Sequence, residues 1–78
     1  MDLTGVARRV SHQVEGITCI VDGDTITFVG PAGMLRVGPD LEFPDTALVW
    51  AGSEGVGVDG CDADDLAPLV ETIRRWVR

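Results

Sequence analysis

Residues 17–29 read ITCIVDGDTITFV and constrain the fold more than any other segment, because they predict a β-hairpin together with its register. Two alternating apolar runs flank Asp22-Gly23, and such a dipeptide tolerates the positive φ angles that a type I′ turn requires. A two-residue loop at this dipeptide pairs Cys19 with Ile26. Since side chains alternate between the faces of a strand, one face collects the apolar residues Ile17, Cys19, Val21, Ile26 and Phe28.

The next turn extends this hairpin to a three-stranded antiparallel meander. Residues 30–33 (GPAG) have the composition of a turn. If these four residues form the loop, Phe28 lies opposite Leu35 and Ile26 lies opposite Val37, so the third strand adds to the same apolar face. The alternation also predicts a second face of the sheet, which holds Thr18, Ile20, Thr25, Thr27, Val29, Met34 and Arg36.

Further strands follow with weaker signals. Residues 38–40 (GPD) are expected to interrupt the third strand, and residues 41–46 are expected to be irregular. The apolar run 47–51 has strand character. Residues 52–55 (GSEG) predict a second hairpin loop, which leads into a short edge strand at 56–58 that its glycine weakens.

An amphipathic helix is predicted on each side of these strands, because apolar residues recur there at the helical period. Asp2 is expected either to cap the first helix or to interact favourably with its N-terminal dipole, and Gly16 is expected to end it. Pro68 is tolerated only in a first helical turn, so the second helix should begin between residues 64 and 67. The apolar stripes are Leu3, Val6, Ala7, Val10 and Val14 in the first helix, and Leu66, Leu69, Val70, Ile73 and Val77 in the second.

The order of these elements predicts an α+β fold, a two-layer sandwich with an N-terminal helix, an antiparallel meander of three to five strands and a C-terminal helix. Both helices are expected to cover the same face of the sheet. We expect residues 1–78 to form a single small domain, which is close to the lower size limit for an unassisted hydrophobic core. A homodimer formed through the second face would add buried area, so we treat the homodimer as an alternative to the monomer.

Charge and hydropathy exclude several classes of function. The chain has a net charge of −7, and residues 17–70 hold ten acidic side chains against Arg36 alone, a balance of −9. We therefore expect no direct contact with nucleic acid, which requires a basic field. No apolar run approaches the roughly 18–20 residues that cross a bilayer, so we expect no membrane association. With two cysteines and no targeting segment, we expect a reducing, cytoplasmic location.

The chemistry-bearing residues predict no catalytic residue, no cofactor and no metal site. Cys19 points to the predicted core face, where a free cysteine acts as a small hydrophobe. Cys61 is placed in an acidic loop before the second helix, where neighbouring aspartates would raise its pKa, and a Cys19–Cys61 disulfide stays open as an alternative. His12, the one histidine, matches no metal-ligand spacing. The acidic run 59–65 lacks the ligand pattern of an EF-hand and is better explained as a solvated loop that caps the second helix.

Two surfaces therefore support functional hypotheses, the second sheet face and the acidic loop. The leading hypothesis is a non-enzymatic protein-binding module, acting as an adaptor, a chaperone-like accessory factor or an inhibitor. The alternative is an acidic nucleic-acid mimic that inhibits a nucleic-acid-binding protein, and a third is a small metal-binding or thiol-dependent protein. The predicted partner-binding residues are Thr18, Ile20, Thr25, Thr27, Met34 and Arg36, and the residues expected to steer a basic partner are Asp59, Asp62, Asp64 and Asp65.

Overall fold

The fold was obtained as a computed structural model, which describes residues 1–51 and 58–78. The strands form one antiparallel sheet in the order β1-β2-β3-β4-β5, and the helices pack against one side of it. This arrangement confirms the predicted α+β sandwich. The elements are α1 (Leu3–Gln13), β1 (Thr18–Asp22), β2 (Thr25–Gly30), β3 (Gly33–Pro39), β4 (Ala47–Ala51), β5 (Val58–Asp62) and α2 (Ala67–Trp76).

A hydrophobic core fills the space between the two layers. The sheet contributes buried side chains from its central strands, among them Phe28, Ile26, Val37 and Leu48. The ten residues of the two predicted helical stripes are all buried as well, so the helical period identified the inner surface of both helices. Val21 belongs to the core side of β1 but remains 38% exposed, because it lies beside the turn at the edge of the sheet.

The first hairpin turns one residue later than predicted. Its loop is Gly23-Asp24, and Cys19 pairs with Phe28 instead of Ile26. Gly23 has a φ of +61°, whereas no described residue other than glycine has a positive φ. This is the pattern of a type II′ turn, which needs a glycine only at its first central position. A type I′ turn at Asp22-Gly23 would have required a positive φ at Asp22 too, so the prediction of that loop is wrong.

The register between β2 and β3 is confirmed, with Phe28 opposite Leu35 and Ile26 opposite Val37. The turn itself is shorter than predicted, because Gly30 and Gly33 also pair and leave only two residues between them. Strand β3 then continues through the GPD segment as far as Pro39, which pairs with Leu48 of β4. The predicted interruption at Gly38 is therefore wrong. A proline fits the last position of a strand, where its missing N–H removes little from the ladder.

Strand β4 confirms the prediction for 47–51, and residues 41–46 are irregular as expected. The predicted hairpin loop at 52–55 and the first two residues of the predicted edge strand lie outside the described residues. Strand β5 runs from Val58 to Asp62, so the first half of the predicted acidic loop is a strand instead. Gly60 permits this pairing, because a Cβ at that position would approach the Leu48 carbonyl oxygen to 2.7 Å.

The helix ends agree with the predictions only in part. Asp2 is the N-cap of α1, but its side chain makes no capping hydrogen bond. The C-cap is Val14 in an extended conformation, and Gly16, with a φ of +82°, lies two residues beyond it in the turn to β1. Helix α2 begins at Ala67, within the predicted window, and Pro68 occupies its first turn. No helix in the described parts of the chain has the length and apolar character needed to cross a membrane.

Candidate partner-binding face

The side of the sheet that faces away from the helices is the candidate site, and we call it the open face. In β2, Ile26 and Phe28 point into the core, so the residues between them point to the opposite side. Directly paired residues of an antiparallel sheet share a face, which extends the assignment to the neighbouring strands. On β1, β2 and β3 the structure thus places on the open face the residues Thr18, Ile20, Thr25, Thr27, Val29, Met34 and Arg36.

Large apolar side chains of the open face are accessible to solvent. Met34 is 64% exposed, Ile20 is 52% exposed and Val29 is 37% exposed. Val58, which pairs with Ala51, adds a further apolar side chain that is 72% exposed. Val58 was not predicted as a site residue, because the sequence of β5 does not identify it as a strand. Its glycine and acidic residues interrupt the alternation of apolar residues.

The paired strands arrange these side chains in two neighbouring rungs. Thr18, Val29 and Met34 form one rung, and Ile20 shares the next with Thr27 and Arg36. Strands lie about 4.8 Å apart, so Ile20 and Arg36 stand roughly 10 Å from each other across the half-buried Thr27. The open face therefore combines apolar side chains, hydroxyl groups and the guanidinium group of Arg36 with the carboxylates of Asp22 and Asp62. Such a surface can bury apolar area and also donate hydrogen bonds to a partner.

The four acidic residues expected to steer a partner do not share one surface. All four are exposed, but only Asp62 lies on the open face. Asp59 pairs with the buried Trp50 and therefore lies on the helix side of β5. Asp64 and Asp65 belong to the connection between β5 and α2, and Asp65 Oδ1 accepts a hydrogen bond of 3.3 Å from the backbone N–H of Ala67.

The two cysteines lie on strands at opposite edges of the sheet, and both are free. Four strand spacings separate β1 from β5, roughly 19 Å, whereas a disulfide requires Cα atoms within about 7 Å. The alternative of a Cys19–Cys61 disulfide is therefore wrong. Cys19 is half-buried, and its Sγ lies 3.1 Å from Ser11 Oγ of α1. This contact places Ser11 of α1 beside Cys19 of β1.

Burial is the main reason that the pKa of the Cys61 thiol is raised above its ordinary value. A hydrogen bond from the Leu69 backbone opposes this rise, while the charges of Asp65 and Asp62 add to it. The prediction named the aspartates as the cause, but desolvation of the thiolate contributes more. A raised pKa keeps the thiol protonated near neutral pH and so disfavours a role as a nucleophile.

The remaining candidate positions are a histidine and a cleft. His12 is exposed on α1, and among the described residues no three histidine, cysteine or acidic side chains come together as a metal site.

A cleft of about 280 Å³ lies between β5 and α2, with Trp50, Asp59, Arg75 and Trp76 in its walls. The Trp50 Nε1–H is buried and has no hydrogen-bond partner within residues 1–51 and 58–78. Sequence reasoning treated Trp50 only as a strand residue.

The chain matches no protein-family model, no curated protein and no solved structure. The open face is the surface where exposed apolar area and polar groups occur together over several paired strands.

Proposed function

We propose that this protein is a small, non-enzymatic protein-binding module of the cytoplasm, and that a partner protein docks on the open face. The observation that supports this proposal is the exposure of Met34 and Ile20 on a regular sheet whose helices all lie on the other side. Polar side chains would suffice if this face served only to contact water. Exposed apolar residues that lie beside threonines, an arginine and an aspartate are typical of an interaction surface.

The energetic contribution of Met34 can be estimated from its exposure. Complete burial of a methionine side chain contributes about 1.5–3 kcal/mol, and Met34 is 64% exposed in the free protein. Covering the remainder would contribute about 1–2 kcal/mol to binding. The substitution Met34→Asp removes this contribution and places a carboxylate in the interface, so we expect the dissociation constant to rise at least roughly tenfold.

The experiment begins with capture of partners from the native organism on the immobilised protein and their identification by mass spectrometry. The affinity of the captured partner is then measured by calorimetry for the unchanged protein, for Met34→Asp and for Leu41→Asp. Leu41 is the matched control, because it is 98% exposed in the β3–β4 loop and undergoes the same chemical change. Circular dichroism verifies that both variants fold.

If the partner docks on the open face, Met34→Asp should weaken binding, and Leu41→Asp should leave the affinity unchanged. Equal affinity of both variants would contradict a docking role for the open face. The alternative, an acidic nucleic-acid mimic, predicts a different result, in which binding weakens steeply with salt and on neutralising the carboxylates. The variants for that arm replace each of Asp59, Asp62, Asp64 and Asp65 by asparagine.

A further inference from the structure

The cleft between β5 and α2, which we call the β5–α2 cleft, has walls from both of these elements. Asp59 and Gly60 line it on β5, and α2 contributes positions 68, 71, 72 and 75, which recur along one side of the helix. Trp50 of β4 is 3% exposed, whereas the residues around it are exposed or half-buried. The indole of Trp50 therefore lies at the floor of the cleft.

The floor of the β5–α2 cleft carries a hydrogen-bond donor that lacks an acceptor. The Trp50 Nε1–H is buried and has no partner within residues 1–51 and 58–78. Such a group costs stability, and most buried polar groups of folded proteins have a partner. The core behind Trp50 offers no acceptor side chain, because every buried side chain in the described ranges is hydrophobic. The cleft is therefore the side from which a bound molecule can supply the acceptor.

The walls of the cleft leave one negative charge without a counterion. Arg75 Nη2 lies 3.6 Å from Glu71 Oε1, one turn earlier on α2, so these two charges largely offset each other. Asp59 forms no salt bridge within the part of the chain that the structure describes. Because Asp59 pairs directly with Trp50, the Cβ atoms of the two residues lie about 5 Å apart on the helix side of the sheet. The cleft thus favours a ligand whose positive group lies close to its acceptor atom.

Trp76 adds an apolar surface to the same cleft. Its side chain is 43% exposed at the end of α2, so a ligand can pack against the indole ring. Contacts between aromatic rings contribute more than the burial of their area alone. The volume of the cleft, about 280 Å³, is close to the lower limit for small-molecule sites. The cleft therefore suits a small organic ligand or the end of a chain.

These observations select the chemical class of the ligand. It must present an acceptor to the Trp50 N–H, a positive charge to Asp59 and an apolar group to Trp76. A lysine or arginine side chain has the charge but no acceptor. A phosphate or a free amino acid brings further negative charge to a cleft in which carboxylates already outnumber the guanidinium group. An α-amino amide meets all three requirements, because adjacent carbon atoms carry its ammonium group and its carbonyl oxygen.

From these observations we propose that the β5–α2 cleft binds an α-amino amide, the unit that forms the N-terminus of a peptide. The carbonyl oxygen accepts the hydrogen bond of the Trp50 indole, the ammonium group pairs with Asp59, and the side chain packs on Trp76. This site lies on the helix side of the sheet, so it is separate from the open face and does not depend on the function proposed for that face. The ligand can be a small free amide or the N-terminus of another chain.

The first experiment titrates phenylalaninamide into the whole ¹⁵N-labelled chain and follows the indole N–H signals of its two tryptophans by NMR. The signal that remains in Trp76→Phe belongs to Trp50. This signal should shift with a dissociation constant of roughly 1 mM, as expected for so small a ligand. Phenethylamine lacks the carbonyl and N-acetylphenylalaninamide lacks the charge, so each should bind roughly tenfold more weakly.

An unshifted Trp50 signal at a phenylalaninamide concentration about twenty times the expected constant would overturn the proposal. The indole N–H would then be a group that water alone satisfies. Equal binding of all three compounds would also overturn it, because neither the carbonyl nor the charge would be recognised.

The second experiment compares Asp59→Asn with Asp45→Asn. Asp45 is the matched control, because it is an exposed aspartate of the β3–β4 loop outside the cleft and undergoes the same chemical change. Asp59→Asn should weaken the binding of phenylalaninamide roughly tenfold, and Asp45→Asn should leave it unchanged. The dispersion of the amide signals verifies that both variants fold. Equal affinity of the two variants would contradict the proposal.

A third titration, with the tripeptide amide phenylalanyl-glycyl-glycinamide, distinguishes the two sources of the ligand. Retained affinity would identify the N-terminus of a peptide chain, since the cleft then leaves room for the chain to continue. Loss of affinity, with phenylalaninamide still bound, would identify a small free amide. Both results support the proposed site and differ only in what fills it.

Discussion

The contact between Gly30 and the end of α2 permits a sharp test of how the helical layer is attached to the sheet. Val77, which follows α2, is fully buried, and its carbonyl oxygen accepts a hydrogen bond of 2.9 Å from the N–H of Ala32. A Cβ at Gly30 would press on that carbonyl oxygen and lie 3.1 Å from Val77 Cγ1. Backbone atoms cannot rotate away as a side chain can. Gly30→Ala must therefore displace the end of α2 from the β2–β3 turn.

The expected loss of stability follows from three contributions. Overpacking against a rigid neighbour costs about 1–3 kcal/mol, and the weakened hydrogen bond from Ala32 costs about 1 kcal/mol more. Restriction of the unfolded chain by alanine offsets about 0.5–1 kcal/mol of this loss. We expect Gly30→Ala to lower the free energy of unfolding by about 1–3.5 kcal/mol. For a chain of 78 residues, whose total is about 4–12 kcal/mol, this is a large fraction.

Gly38→Ala is the matched control for this substitution. Gly38 also lies in a central strand, but the nearest atom to its Cβ position would be the Asp24 carbonyl oxygen at 3.8 Å, which is an ordinary contact. The same entropic gain then acts without the clash, so Gly38→Ala should leave the free energy of unfolding unchanged or raise it slightly. Urea denaturation followed by tryptophan fluorescence, to which Trp50 and Trp76 both contribute, measures both variants. Equal midpoints for Gly30→Ala and Gly38→Ala would refute the reasoning.

Three further predictions address the core, a loop and a thiol. Phe28→Ala should lower the free energy of unfolding by about 3–5 kcal/mol in urea denaturation, because Phe28 is fully buried. Asp40→Ala should lower the thermal midpoint by several degrees, whereas Asp40→Asn should retain it, because Asp40 Oδ1 accepts hydrogen bonds from the N–H groups of Glu42 at 2.7 Å and Phe43 at 3.2 Å. The pKa of Cys61 is higher in the folded protein than in the unfolded chain. As the pH rises above the ordinary pKa of a thiol, the unfolded chain loses this proton first, so the free energy of unfolding should fall. Urea midpoints at neutral and alkaline pH should show that Cys61→Ala removes this part of the decrease.

The first hairpin shows which features of a sheet can be predicted from its sequence. Alternation of apolar residues specifies the face on which each side chain lies, and a shift of the partner by two positions leaves every face unchanged. The turn at Gly23-Asp24 shifted the partner of Cys19 from Ile26 to Phe28, which is such a shift. The pairing was therefore wrong while the faces were right. Choosing between the two turns requires knowing whether Asp22 tolerates a positive φ in its tertiary context.

Strand β5 shows where the prediction had too little signal. In the sequence VDGCD, a glycine and two acidic residues replace the apolar alternation that identifies a strand. What holds β5 in the sheet is tertiary, since Gly60 permits close approach to Leu48 and Cys61 packs against the core. Neither contact can be inferred from neighbouring residues in the chain. The prediction that the acidic residues share one loop depended on this segment being irregular, and Asp59 and Asp62 lie on a strand instead.

The same distinction applies to the open face. Membership of the open face depends only on alternation, so the positions of Ile20 and Met34 on it do not depend on which turn the hairpin adopts. The direction of the backbone groups of β1 does depend on the turn, because the turn decides which of them point away from β2. With the loop at Asp22-Gly23, Ile20 would have pointed its N–H and C=O groups away from β2 in place of Cys19 and Val21. The Met34→Asp experiment therefore tests the open face independently of the turn.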